Sequence, residues 1–161
     1  MFQLLENDAL AGSVVFYAMT KKRSIEPGRE PEGARQRLTQ LRHALLKLHK
    51  TLVDSERVGY EGTIGKIQSP NHFLQLLTTD PWFAWLRPLS QLIVAMDEAL
   101  DAEEPLTLAK VEALVRQADV MLVVSETSEG FSGHYHEALQ RDPDVVLAHA
   151  EVVKLRGPRK T

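Results

Sequence analysis

The chain contains no cysteine, so it has no disulfide framework, no thiolate metal site and no cysteine nucleophile. This absence fits a reducing compartment, and we predict a cytoplasmic location. Strand signals are also scarce, because the sequence has no sustained alternation of apolar and polar residues and no Asn-Gly or Asp-Gly hairpin turn. The scarcity of strand signals favours an all-α fold.

Motifs for several classes of function are missing as well. No serine lies in a Gly-x-Ser-x-Gly turn, and Gly130 and Gly133 lack the Lys and Ser/Thr of a phosphate-binding loop. The cations of the first half do not form a single basic stripe, which argues against a nucleic-acid partner. No apolar run is long enough for a membrane span, and Glu6 and Asp8 occupy positions where a secretory signal needs basic residues.

What the chain has in abundance is helical periodicity. Its 161 residues, 43% hydrophobic and 25% charged, predict one globular domain. Apolar residues at intervals of three and four predict a helix over about 34–58 and another that begins after Thr107. The first helix rests on one set of leucines: Leu38, Leu41, Leu45, Leu48 and Leu52.

Proline marks three further helix starts, each preceded by a residue whose side-chain oxygen can accept a hydrogen bond from the first turn. They are Ser69-Pro70, Asp80-Pro81 and Asp142-Pro143. These starts predict a short helix over 70–77, a long segment from Asp80 and a final helix over about 143–155. A weaker helix, interrupted by glycine, is predicted over about 129–140.

The segment 80–100 holds both tryptophans and the longest apolar helical pattern. Pro88 removes a backbone donor and crowds the carbonyl of Ala84, so we expect a kink or a restart near Arg87 with that carbonyl left free. The prediction is an all-α bundle of about five helices, kinked at Pro88. Residues 34–157 form the predicted bundle, which contains a glycine-rich loop at 59–65 after the first helix. Residues 1–33 are predicted to be a flexible N-terminal extension and linker, and residues 158–161 a frayed tail.

Large aromatic side chains mark a candidate ligand pocket or interface. Trp82 and Trp85 share one side of an ideal helix, and Phe83 points elsewhere, towards the preceding short helix or a second subunit. The candidate residues are Trp82, Phe83, Trp85, Arg87 and Tyr135.

The histidines supply the candidate chemistry. His149 lies within a stripe formed by Val145, Val146, Val152 and Val153, and a core histidine that is hydrogen-bonded to a carbonyl or an acid is the favoured interpretation. An antiparallel hairpin around Asp142 would also bring His134 towards His149. The alternative is therefore a zinc or iron site, for which the candidate ligands are His49, His134, Glu137 and His149.

Two hypotheses of function remain open. The first is a non-enzymatic interaction or regulatory module that self-associates, for example as a homodimer, or binds a protein partner. It rests on the absence of catalytic motifs and on opposed charge, net +3 over residues 1–66 and net −6 over 67–161. The second is a ligand- or metal-binding bundle, with enzymatic activity as an option, whose pocket is lined by tryptophans and histidines. No cofactor is predicted, and metal or haem belongs only to the second hypothesis.

Overall fold

The computed structural model describes residues 30–126 and 129–156, with side chains from residue 33 onwards. These residues form six α-helices and one 3-10 helix, and they contain no strand, so the predicted all-α class is confirmed. Residues 1–29 of the predicted flexible extension and linker, which was assigned to 1–33, and the predicted frayed tail lie outside the described residues. The elements are α1 Glu30–Thr63, α2 Pro70–Thr79, the 3-10 helix Pro81–Leu86, α3 Arg87–Asp101, α4 Leu108–Met121, α5 Phe131–Arg141 and α6 Pro143–Arg156.

Helix α1 is the central helix of the bundle. It packs against α3, α4, α6 and the 3-10 helix. The predicted leucine stripe forms its inner face, and each of these leucines is at most 1% exposed. Burial of a leucine side chain contributes roughly 1.5–3 kcal/mol, so this single face is a major source of the bundle's stability.

Both ends of α1 extend beyond the predicted bounds. Residues 30–33, assigned to the linker, are helical, and so are Gly59 and Gly62, assigned to a loop. A Cβ at position 59 would lie 3.4 Å from Cζ2 of Trp82, about van der Waals distance, so the indole packs directly beside the helix at Gly59. Packing of this kind, together with the burial of Tyr60, offsets the low helix propensity of glycine.

The three predicted proline starts are all capped as expected. Ser69 Oγ accepts a hydrogen bond from the His72 N–H at 3.1 Å, and Asp80 Oδ1 accepts one from the Trp82 N–H at 2.8 Å. Asp142 Oδ1 accepts one from the Asp144 N–H at 2.9 Å. At the start of α4, Thr107 Oγ1 accepts a bond from the Lys110 N–H.

The tryptophan segment is broken in two, as Pro88 predicts. Residues 81–86 form the 3-10 helix, and α3 restarts at Arg87 with Pro88 in its first turn, where its missing N–H costs nothing. The expectation of a free carbonyl at Ala84 is wrong, because the tighter 3-10 geometry lets the Arg87 N–H donate to it.

Candidate functional site

The aromatic residues of the 3-10 helix connect three helices. Phe83 is 1% exposed, and its ring centroid lies 5.5 Å from that of Tyr60 in α1 and 5.8 Å from that of Phe73 in α2. Trp82 is partly buried and meets Tyr60 edge-on at 5.8 Å. Phe83 therefore points to the short preceding helix, one of the two directions expected from the sequence.

Trp85 faces a different neighbour from Trp82, although an ideal helix would place the two on one side. Its ring stacks on His134 at 5.3 Å and lies 5.5 Å from Phe131, both in α5. Phe131 stacks in turn on Tyr135 at 5.5 Å. The candidate Arg87 is exposed and uses its guanidinium to donate to the Thr78 carbonyl at 2.8 Å, which closes the end of α2.

Tyr135 and His149 form the bond at the centre of the α5–α6 hairpin, with 2.7 Å between Tyr135 Oη and His149 Nδ1. Burial raises the pKa of Tyr135, against a smaller opposing effect of the Arg156 charge, so the phenol keeps its proton. Burial, and then the Arg156 charge, lowers the pKa of His149. The bond therefore joins a protonated phenol to a neutral imidazole, and its direction is set by which ring nitrogen of His149 carries the proton.

The buried face of α6 is rotated relative to the valine stripe that the sequence predicts around His149. The buried residues of α6 are Val145, Ala148, Val152 and Arg156, whereas Val146 and Val153 are more than 40% exposed. The prediction for these two valines is wrong, because α6 packs against α1 and α5 on one side only. His149 consequently lies partly buried at the border of the packed face, where its partner is a side-chain hydroxyl.

Two buried charged residues were missed by sequence reasoning. Arg156, with 6% of its side chain exposed, pairs through Nε with Asp119 Oδ1 of α4, and its carbonyl accepts a bond from Arg37. Glu56 is 7% exposed and pairs with Arg141 at 2.7 Å. The available signal for Arg156 was its spacing, since it continues the i, i+7, i+11 series that starts at Val145.

The candidate metal ligands do not converge. His134 Nδ1 lies 3.9 Å from Glu137 Oε2 on one turn of α5, while His149 is bonded to Tyr135. His49 lies in α1, where burial lowers its pKa. Among residues 30–126 and 129–156, no group of three or more His, Cys, Asp or Glu side chains is arranged to hold a metal ion.

An open groove between α3 and α4 was also missed. It has a volume of about 800 Å³, and three of its nine lining residues are polar: Gln91, Arg116 and Gln117. The other six are Pro88, Leu92, Ala95, Ala113, Val120 and Met121. Val120 is 75% exposed, the largest exposure among the large apolar residues described. Ala95 and Ala113 also line the groove, and their small side chains leave space between the two helices.

Comparisons with known proteins give no relative for this chain: no family model, no curated protein and no solved structure matches it. Within the described part of the chain, no helix combines the length and the apolar composition that a bilayer span requires.

The lowered pKa of His149, which burial causes first and the Arg156 charge second, makes the stability dependent on pH. Because the pKa of folded His149 is below the unfolded value of about 6.5, the unfolded state binds a proton more readily as the pH falls. The contribution of His149 is therefore present above about pH 6.5 and is lost as the pH falls towards the folded pKa. We expect His149→Gln to flatten the decline in unfolding free energy between about pH 7.5 and 5.

The measurement is urea unfolding across this pH range. His49→Gln is the matched comparison: burial also lowers the pKa of His49, so this variant should remove a second, independent part of the decline. An unchanged pH profile in His149→Gln would contradict the assignment.

Proposed function

We propose that this protein is a non-enzymatic interaction module whose α3–α4 groove binds an amphipathic helix of a protein partner. The observation that carries the proposal is the 75% exposure of Val120 in an open cleft of about 800 Å³, whose lining also includes the small side chains of Ala95 and Ala113. A large apolar side chain left in water beside unfilled volume is typical of a surface that is covered on binding.

The chemistry of the groove fits a helix better than a flat protein surface. Its floor is apolar, and Gln91, Gln117 and Arg116 lie along it as polar groups that can fix the orientation of a bound segment. Helix-in-groove recognition uses this arrangement, with apolar anchors at i, i+3 or i+4 and i+7 inserted between two helices. A cytoplasmic location, inferred from the lack of cysteine, belongs to the same proposal.

Selection of peptides from a random 16-residue library on the full chain tests the groove, with counter-selection on Val120→Asp. We expect enriched peptides to carry apolar residues at i, i+3 or i+4 and i+7, and to bind Val120→Asp at least about tenfold more weakly, because the new carboxylate would be desolvated in the complex.

Val58→Asp is the matched control for this experiment. Val58 is 72% exposed, close to the 75% of Val120, but it lies on α1 and does not line the groove. Peptides that bind Val120→Asp as well as the wild-type protein would overturn the proposal. The molar mass of the wild-type protein in solution is measured as well. If it rises with protein concentration and that of Val120→Asp does not, the partner is a second copy of the chain.

A ligand-binding bundle is the second candidate, and one observation favours it. Trp85 is 8% exposed, and its indole Nε1 has no hydrogen-bond partner among the described residues. A buried donor of this kind is a place where a polar ligand atom could bind. Elemental analysis and a visible absorption spectrum of the purified protein, if both are blank, would remove the metal and haem versions.

A further inference from the structure

Helix α6 has a second apolar face that none of the described residues covers. Its buried residues lie on one side, whereas Val146, Leu147 and Val153 lie on the other and are 44%, 65% and 42% exposed. Ala150, between them, is exposed as well. A helix that is apolar on two sides is normally packed on both. The outer face of α6, defined by these four residues, is therefore suited to a further contact.

The spacing of the outer face fits one more helix. Val146, Ala150 and Val153 follow the i, i+4, i+7 pattern of a helix–helix contact. The small side chain of Ala150 at its centre lets a second backbone approach closely. We propose that this face joins two copies of the chain in a homodimer, in which α6 packs antiparallel against α6 of the partner about a two-fold axis at Ala150.

An axis at Ala150 brings the large side chains of the two copies together. Leu147 lies three residues before the axis and Val153 three residues after it, so Leu147 lies at the same level as the partner's Val153. Each leucine, the most exposed of the three large residues, is then covered by a valine. Beside Leu147 and Ala150, an open groove of about 500 Å³ runs between α6 and α1. The described residues therefore leave space for a second helix along this side of α6.

The charges at the two ends of α6 complement each other in the same arrangement. Asp144 lies in the first turn and Lys154 in the last turn, and both side chains are exposed. Neither belongs to an ion pair within the described part of the chain. Antiparallel packing about Ala150 brings Asp144 and the partner's Lys154 within about 3 Å of each other along the helix axis, twice in each dimer. A face that complements itself in both shape and charge favours a second copy over an unrelated protein.

The dimer is expected to be weak, because α6 has 14 residues and is about 21 Å long. One pair of helices of this length buries less than the roughly 800 Å² per partner of a standard interface, so we expect a dissociation constant of about 10–100 µM. None of the four residues of the outer face lines the α3–α4 groove. The dimer would therefore present two free grooves, and a partner with two helical segments would bind it with avidity.

Sedimentation equilibrium of the full chain between about 1 and 300 µM, a range that brackets the expected dissociation constant, tests the dimer. We expect the molar mass of the wild-type protein to rise towards twice that of one chain. Leu147→Asp should raise the dissociation constant at least about tenfold, because two carboxylates would be desolvated in the interface. Leu74→Asp is the matched control, since Leu74 is 62% exposed, close to the 65% of Leu147, but lies on α2. Circular dichroism checks that both variants fold.

Single thiols test the antiparallel arrangement, because the full chain has no cysteine of its own. Ala150→Cys lies on the two-fold axis, so its two copies should form a disulfide under mild oxidation. Val146→Cys lies four residues from the axis, which separates its two copies by about 12 Å along the helices, beyond the reach of a disulfide. A parallel pair of helices would cross-link at both positions.

A wild-type protein that stays monomeric over this range, or a dimer that Leu147→Asp and Leu74→Asp weaken equally, overturns the inference. Equal cross-linking of Ala150→Cys and Val146→Cys overturns it too. A dimer that is lost in Val120→Asp also overturns it, because the contact would then belong to the α3–α4 groove. The peptide selection reports on the groove alone, so a monomeric protein whose enriched peptides depend on Val120 removes this inference and leaves the proposed function standing.

Discussion

Phe83→Ala is expected to lower the free energy of unfolding by about 3–5 kcal/mol, a large fraction of the 5–15 kcal/mol typical of a domain. Phe83 is 1% exposed, and its ring contacts Tyr60 and Phe73, so truncation opens a cavity where α1, α2 and the 3-10 helix meet. Tyr60 cannot close it easily, because it belongs to α1, which also packs against α3, α4 and α6. Urea unfolding followed by circular dichroism gives the loss directly.

Leu74→Ala is the control for this prediction. Leu74 lies on α2, one residue after Phe73, but is 62% exposed, so its truncation should change the unfolding free energy by less than about 0.5 kcal/mol. A loss below about 1 kcal/mol in Phe83→Ala would contradict the tight packing of this junction.

Asp119→Ala is expected to cost about 3 kcal/mol, although Asp119 itself is partly exposed. Its partner Arg156 has only 6% of its side chain exposed, so removal of the carboxylate leaves a guanidinium desolvated and unpaired. Helix α6 would then lose its anchor to α4. Thermal and urea unfolding of the full chain measure the effect.

The exposed pair Lys50–Asp54 supplies a matched comparison. Its side chains are 78% and 57% exposed, so Asp54→Ala should cost less than about 1 kcal/mol although the same kind of pair is broken. The double variant Asp119→Ala/Arg156→Met should recover much of the loss, since it removes the buried charge as well. Equal losses in Asp119→Ala and Asp54→Ala would refute the role of burial.

Much of the fold was predictable because it depends on local signals. The leucine spacing of α1, the oxygen-proline pairs that start three helices and the restart at Pro88 each act over one or two turns. The predictions failed where contacts between residues far apart in the sequence decide the structure. Gly59 stays helical because Trp82 packs beside it, and α6 is rotated because its neighbours cover Val145 and Ala148 and leave Val146 in water.

The candidate site was less predictable than the fold. Tyr135 and His149 were both singled out, but the bond between them required the geometry of the α5–α6 hairpin. The groove depends on what two helices leave unfilled, and small residues such as Ala95 and Ala113 give no signal by themselves in the sequence. The burial of Arg156 was not predicted, because burial of this cation depends on a carboxylate 37 positions earlier, Asp119.

Helix α1 is synthesised before the other described helices, yet much of its inner face is covered by α6, the last of them. Arg37 bonds to the carbonyl of Arg156 across 119 positions of sequence. At about 5–20 residues per second, the ribosome needs several seconds between completing α1 and releasing its closing partner. During that interval the leucine face lacks its final cover, so the nascent chain presents a long apolar surface to chaperones until α6 has been synthesised.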